Sequence, residues 1–286
     1  MPNHQAAEQM LGYLYQVRYA LALLLENDNS NFQISIEKFD DVAFSQDGSP
    51  KQLIQLKHHV RQQGNLTDGS TDLWRTLKVW IDIVSESPDI LCETEFFIVT
   101  TAIAPNDTAA FCLKKDENRN VVSAYEKLKN VCAKSENKDH KKYYEAFSKT
   151  DETTIMNLIG QIYVIDGASN IIDVEKVFRK QIRYSCIPKF ENQICERLEG
   201  WWYKKAIEAL CADVPVFVTQ NQVRSVFLQH CGRSCNSIYT KNQISAMVFG
   251  DVPAMERPFF LPKSRGEEAL PLTIFFRILS FVLEGG

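Results

Sequence analysis

The order in which helical and strand patterns follow one another constrains this chain most. Residues 5–27 carry apolar side chains at i, i+3, i+4 and i+7, which predicts an amphipathic helix. Two stretches rich in β-branched and aromatic residues follow, at 32–44 and 52–59, on either side of a turn containing Asp, Gly and Pro. They predict a β-hairpin. A second amphipathic helix at 71–86 and a continuous apolar run at 95–101, typical of a buried strand, then favour an α/β fold.

The second half of the chain is mostly helical in pattern. Its predicted elements are a lysine-rich helical segment at 118–149 with a break at 135–137, a helix at 151–160, a strand at 161–166, helices at 171–185, 190–211 and 219–231, a proline-rich extended linker at 251–265 and an apolar helix at 270–283. We therefore expect an α/β core over 1–170, with a lysine-rich helical insert at about 111–150. A helical region over 171–286 would serve oligomerisation or partner docking. The abrupt end after the apolar helix suggests a fragment of something longer.

Composition and the N-terminus exclude several classes of protein. The chain is 45% hydrophobic and 24% charged, close to ordinary globular proteins and unlike disordered or collagen-like ones. No apolar stretch reaches the roughly 20 residues that span a bilayer, and the N-terminus lacks the charged and apolar regions of a signal peptide. We expect a cytoplasmic protein without a membrane partner, whose eight cysteines are mostly small buried hydrophobes.

The hairpin carries the residues that could bind a metal ion or take part in catalysis. They are Glu37, Asp40 and Asp41 on the first predicted strand and Gln55, Lys57 and His58 on the second. Because side chains alternate along a strand, Glu37 and Asp41 share one face, and Gln55 and Lys57 share one face. If the two faces coincide, oxygen ligands suited to Mg²⁺ or Mn²⁺ converge beside an ammonium group. The alternative is an acidic pair before a turn and an exposed, solvated strand face.

This pattern resembles a known nuclease superfamily. An acidic residue, a turn and Gln-x-Lys on the next strand are similar to the PD-(D/E)xK motif, in the variant with Gln at the second acidic position. The segments GYLYQVRYALALLLE, EKFDDVAF, QLIQLKHH, DLWRTLKVWIDIV and EFFIVTT resemble the endonuclease domain of CBASS-type anti-phage effectors. The same domain occurs in nuclease subunits of Lamassu and related ABC-three-component systems. LEGWWYKKAIEAL, at 198–210, resembles the helical continuation of that group, so the resemblance covers most of 5–210.

The resemblance implies a restriction-endonuclease-like core (helix, β-hairpin, helix, strand, mixed sheet) and a set of roles. Asp41 would be the principal metal-binding carboxylate, Gln55 would stand at the second acidic position, and Lys57 would be the catalytic lysine. Glu37 is implied as a further metal and catalytic residue. Asp40, Gln16 and His58 are secondary candidates, with Gln16 where many relatives carry a glutamate. The expected cofactor is Mg²⁺ or Mn²⁺.

The same resemblance implies double-stranded DNA as substrate, although an RNA substrate stays open. Lys57, Lys114, Lys115 and Lys127 are the candidate DNA-binding residues. The segment 111–150 holds 10 Lys and Arg against 6 Asp and Glu, with tyrosines interleaved. It could follow a phosphate backbone. The alternative is a solvated helical surface whose tyrosines belong to the core.

The charge distribution also predicts that the chain acts together with partners. Residues 1–110 hold 7 Lys and Arg against 15 Asp and Glu, a net charge of −8. Because DNA affinity depends on cationic contacts, such a core should bind DNA poorly as a lone subunit. Cutting would require self-association or docking on a partner, and the resemblance implies an SMC-like ATPase with a small accessory subunit. The competing hypothesis is a catalytically silent adaptor with a nuclease fold.

Overall fold

The structure is a computed structural model that describes residues 5–27, 31–36, 41–59, 64–183, 188–212 and 216–236. Four of the predictions concern residues outside these ranges. They are the roles of Glu37 and Asp40, the linker at 251–265 and the apolar helix at 270–283.

The described residues form nine α-helices and six strands. The helices are α1 (Gln5–Glu26), α2 (Thr71–Glu86), α3 (Ala109–Cys112), α4 (Val121–Lys134), α5 (Lys141–Lys149), α6 (Glu152–Gln161), α7 (Ile171–Arg183), α8 (Glu191–Cys211) and α9 (Gln220–Asn236). The strands are β1 (Gln33–Ile36), β2 (Val42–Gln46), β3 (Ser49–Lys57), β4 (Glu95–Thr100), β5 (Ile162–Ile165) and β6 (Val218–Thr219). Short 3-10 turns lie at Pro88–Cys92, Lys138–His140 and Pro188–Phe190.

The strands build one mixed sheet in the order β5-β4-β3-β2-β1-β6. The strands β3, β4 and β5 run parallel, because helices cross over between them, whereas β1, β2, β3 and β6 pair antiparallel. The apolar run that forms β4 lies between two parallel neighbours and is almost entirely buried. The α/β class expected from the sequence is confirmed, and the more specific restriction-endonuclease-like core stays a prediction.

The prediction of a single strand over 32–44 is wrong. The strand β1 ends at Ile36 and β2 begins at Val42, and the two pair antiparallel with Ile36 opposite Val42. The hairpin joins β2 to β3 through Asp47 and Gly48, whose φ angles are 52° and 82°. An Asp-Gly pair suits this turn because Gly, and to a lesser extent Asp, tolerates positive φ. Asp41 therefore precedes a strand, and the alternation proposed for it with Glu37 no longer applies.

Each face of the sheet has its own hydrophobic cluster. Helices α2, α4, α5 and α6 pack on one face around Trp74 and Trp80. Helices α1, α7 and α8 pack on the other around Trp202. The predicted division near residue 170 stays a prediction, but α7 and α8 share a cluster with α1 from the opposite end of the chain. In the part of the chain described, no helix combines the length and apolar character needed to cross a membrane.

Candidate functional site

The candidate site lies at the edge of the sheet where β3 ends and β2 begins. The register pairs Val42 with Ile54, so the next residue on each strand brings Asp41 opposite Gln55. Hydrogen bonds to the Asp41 carboxylate come from the Leu56 backbone N–H at 2.8 Å and from the Gln55 Nε2 at 3.2 Å, among others. The hairpin itself thus fixes the position of the carboxylate.

The Gln55 side chain joins Asp41 to Lys57. The Lys57 Nζ donates to the Gln55 Oε1 at 2.5 Å. A carboxylate can only accept and an ammonium can only donate, so the amide must direct its NH₂ group to Asp41 and its oxygen to Lys57. The structure therefore brings these three predicted residues together, while their catalytic roles stay predictions.

Helix α2 contributes a residue that the sequence analysis missed. The Thr76 side chain is fully buried and its Oγ1 lies 3.5 Å from the Gln55 Oε1, to which it donates. A threonine among the apolar positions of an amphipathic helix is the only signal for this role, because a buried hydroxyl needs a partner. A single helical pattern does not reveal what that partner is.

Helix α1 reaches the same carboxylate from the other face of the sheet. The Gln16 side chain hydrogen-bonds to Asp41, and so its amide nitrogen is directed at the carboxylate. The Gln16 Oε1 is buried and has no hydrogen-bond partner among the described residues. Gln16 was a secondary candidate in the sequence, and the structure places it within the cluster.

The electrostatics of Asp41 are dominated by burial. Desolvation raises the pKa of its carboxyl group above the usual value, although the Lys57 ammonium, the Leu56 N–H and the two glutamine amides all act to lower it. Burial therefore outweighs these donors and disfavours the charged form of Asp41. A bound cation would favour the charged form.

His58 lies on the opposite side of β3 from Gln55 and Lys57. Its ring stacks on Tyr15 of α1 with 4.4 Å between ring centroids, and its Nε2 accepts from the Ile171 N–H at 3.4 Å, where α7 begins. Burial, followed by the neighbouring His59, lowers the pKa of His58 and favours the neutral ring. These contacts hold α1 and α7 against β3. The His59 Nε2 lies 3.2 Å from the Asp72 Oδ2 of α2.

The lysines predicted to bind DNA are spread over the molecule. The Lys114 Nζ lies 2.8 Å from the Asp166 Oδ1, just beyond the end of β5 and so at the same sheet edge as Lys57. The Lys115 Nζ lies 3.9 Å from the Glu95 Oε1, where β4 begins, at the opposite edge. Lys127 is half-buried on α4. The interleaved tyrosines 125, 143 and 144 are buried, as the core alternative proposed.

The residue types at the site fit a hard divalent cation, but their arrangement does so only if the two amides turn, because the NH₂ groups of Gln55 and Gln16 both face Asp41. Mg²⁺ and Mn²⁺ prefer oxygen ligands, and carboxylate and amide oxygens are provided by Asp41, Gln55 and Gln16. The unpartnered Gln16 oxygen and the desolvated Asp41 carboxylate both favour a cation. Within the described ranges, no group of three or more His, Cys, Asp or Glu side chains is arranged to hold a metal ion. A metal here would depend on amide oxygens, with Glu37 and Asp40 as further candidates outside those ranges.

Fold and site define an α/β protein with an Asp–Gln–Lys cluster at one edge of a mixed sheet. No protein-family model matches the chain, and no curated protein matches it.

Among solved structures, the chain is similar to the Cap4 SAVED/CARF-domain containing receptor of Moraxella osloensis, with a TM-score of 0.44 and 16% identity over 78% of this chain and 48% of that one. The Cap4 receptor of Acinetobacter baumannii gives a TM-score of 0.45 and 13% identity over 77% and 46% of the two chains. The same receptor with the cyclic trinucleotide 3'3'3'-cAAA gives 0.44 and 12% over 77% and 47%. The chain spans about half the length of these receptors.

Proposed function

We propose that this chain is a metal-dependent endonuclease that hydrolyses phosphodiester bonds of double-stranded DNA as an effector subunit of an anti-phage defence system. The observation that carries the proposal is the hydrogen-bonded series Asp41–Gln55–Lys57 at the end of β3, with Gln16 on the same carboxylate. The assignment to anti-phage defence depends on the sequence resemblance to CBASS-type and Lamassu nuclease subunits.

Each residue at the site has a role in this proposal. Asp41 would hold Mg²⁺ or Mn²⁺, joined by the oxygens of Gln55 and Gln16 once these amides turn from the orientation in which both NH₂ groups face Asp41. When bound, the cation would supply Lewis acidity to a phosphate and acidify water. Lys57 orients the attacking water or stabilises the charge that develops on the phosphate oxygens. In the arrangement described, Gln55 keeps the Lys57 ammonium beside Asp41, because its NH₂ group donates to Asp41 while its oxygen accepts from Lys57 as well as from Thr76. Little of this recognises bases, so cleavage should show weak sequence preference.

The test is plasmid cleavage with Mg²⁺ or Mn²⁺, by the full chain alone and with its co-purified partners. Asp41→Ala and Lys57→Ala should each abolish cutting. Lys51→Ala is the matched control, because Lys51 lies on the same strand but pairs with Glu93 at the far end of β3. Cutting that survives both site substitutions would show that the active residues are elsewhere. A digest of RNA run in parallel shows whether the substrate is DNA or RNA.

The second candidate function is a catalytically silent adaptor within a defence complex. The observation in its favour is that one carboxylate and two amides, rather than several carboxylates, line the described part of the site. Fewer negative charges hold a divalent cation less strongly. If the full complex assembles but cuts neither DNA nor RNA with either metal, the adaptor assignment replaces the nuclease.

A further inference from the structure

A series of contacts extends from the candidate site across the N-terminal end of α2. Thr76 contacts Gln55 inside the site, and Thr71, at the first position of the same helix, has its Oγ1 2.9 Å from the His140 Nε2. The two threonines are five positions apart on the helix, a rise of about 7–8 Å. His140 is buried, and its Nδ1 lies 3.1 Å from the Tyr144 hydroxyl. The turn that precedes α5 is thereby fixed close to the edge of the sheet that holds Lys57.

That turn and the first residues of α5 are basic and exposed. We call Lys138, Lys141 and Lys142 the α5 basic surface; all three are exposed. Residues 137–149 hold four lysines against Asp139 and Glu145. Glu145 is shared between Lys141, at 3.8 Å, and Lys149, at 3.4 Å. The surface therefore keeps an excess of positive charge.

The lysines expected from sequence to bind DNA are less suitable. Lys114 is at the correct edge of the sheet, but it is only partly exposed and Asp166 neutralises it at 2.8 Å. Lys115 is at the opposite edge, beside Glu95. Tyr143 and Tyr144 are buried in the core, so α5 presents cations to solvent and not a base-stacking platform. Cations without exposed aromatic rings fit a duplex backbone better than a single strand.

We propose that the α5 basic surface holds the phosphate backbone of a DNA duplex whose adjacent segment lies on the Asp41–Gln55–Lys57 cluster. This inference rests on the proposed function and deepens it by assigning the path of the substrate. Because the contacts are to phosphates, they position the duplex without selecting a sequence. Because the core is acidic, we expect this contact to be weak in the lone chain and to be measurable only at low salt.

The experiment measures binding of a fluorescent DNA duplex by anisotropy, with EDTA present so that no cleavage occurs. It compares the full chain with a triple variant, the α5 variant, that carries Lys138→Gln, Lys141→Gln and Lys142→Gln. The matched control is Lys176→Gln/Lys180→Gln/Lys204→Gln, which removes the same charge from exposed lysines of α7 and α8 on the other face of the sheet. Salt is varied from about 50 to 200 mM. The α5 variant should bind every duplex sequence tested more weakly than the full chain does. In a plot of log affinity against log salt concentration, the steepness of its slope should be smaller by about 3, one unit for each lysine removed.

Three outcomes would overturn the inference. They are equal losses in the two triple variants, an unchanged affinity and slope in the α5 variant, and preference of this surface for an RNA duplex. The measurement is independent of catalysis. If the chain binds DNA through the α5 basic surface but never cuts it, the nuclease proposal is contradicted and the inference about the surface stands. If the α5 substitutions leave cutting unchanged, only the inference about the surface is contradicted.

Discussion

A carboxylate taken out of water is stable only when donors or cations replace its hydration. Asp41 receives hydrogen bonds from Leu56, Gln55 and Gln16 and still has its pKa raised by burial. Folding therefore disfavours the ionised form of a group that the proposed function needs as a carboxylate. Such a conflict between stability and local chemistry is frequent at functional sites, where residues serve a ligand or a reaction.

Asp41→Asn should accordingly stabilise the metal-free protein while it abolishes cleavage. A raised folded-state pKa means that the contribution of Asp41 is fully favourable below its unfolded value of about 3.9 and is lost as the pH rises through the folded value. The uncharged Asn avoids that loss, so its advantage should appear at neutral pH and disappear in acid. A gain of about 1 kcal/mol would raise Tm by roughly 2–4 °C.

Thermal unfolding in EDTA across pH 3–8 measures this difference in Tm between Asp41→Asn and the natural protein. Asp89→Asn, at an exposed position, is the control, and a lower Tm for Asp41→Asn at pH 8 would contradict the prediction.

If the chain is the nuclease proposed above, Thr76 should influence cleavage through Gln55. Thr76→Val keeps the shape of the side chain but removes the donor to the Gln55 amide oxygen, so the amide and Lys57 lose part of their orientation. One neutral hydrogen bond is worth about 0.5–1.5 kcal/mol, so we expect cleavage to slow about 2- to 10-fold. Thr76→Ser should retain most of the rate because it keeps the hydroxyl. Single-turnover cleavage at matched protein concentration is the measurement. Equal rates for the Val variant and the natural protein would exclude this role.

Helices and strands whose apolar residues recur with one clear period could be predicted from the sequence, whereas the connections between them could not. Helices α1 and α2 and strand β4 formed where their apolar spacing indicated, since each period matches one secondary structure. The first strand was predicted as continuous because β1 and β2 are both rich in apolar residues, and the pattern does not mark where the chain turns back. The contact of Thr76 with Gln55 depends on how α2 crosses the sheet, which a local pattern does not specify.

Helix α8 stabilises the position of α1, and through it that of Gln16. Trp202 is 1% exposed and its indole nitrogen donates to the Val17 carbonyl at 2.5 Å, one residue beyond Gln16. Trp202→Ala should cost about 3–5 kcal/mol of the free energy of unfolding, because a large buried ring leaves a cavity. The adjacent Trp201 is only half-buried, and Trp201→Ala should cost clearly less. Urea unfolding of both variants tests the difference. Equal losses would mean that the tethering of α1 does not depend on Trp202.

At the scale of the molecule, the sequence predicted the class of fold and the proximity of Asp41, Gln55 and Lys57, whose roles stay predictions, better than it predicted their surroundings. Gln-x-Lys on one strand and an acidic residue before the hairpin brought Asp41, Gln55 and Lys57 together, because the β2–β3 register is local. The hydrophobic cluster that joins α1 to α7 and α8 spans most of the chain, and such contacts leave no local pattern. Lys115 was grouped with Lys114 for the same reason, although their ion pairs lie at opposite edges of the sheet.

The distribution of charge determines how the activity should depend on assembly. Residues 1–110, which contain Gln16, Asp41, Gln55 and Lys57, have a net charge of −8, whereas residues 111–150 have a net charge of +4. A single chain thus offers DNA few cationic contacts beside much negative charge, and its affinity should fall steeply with salt. Bringing several chains together, or docking one on a DNA-bound partner, places many weak contacts on one duplex and raises the effective concentration. Cleavage should therefore increase more than linearly with protein concentration, or on addition of partners that co-purify with the chain. It should be nearly absent for the dilute chain at physiological salt. Sedimentation velocity and plasmid cleavage at the same concentrations give the comparison. Tight DNA binding and full cutting by a monomer at that salt would be incompatible with control by assembly.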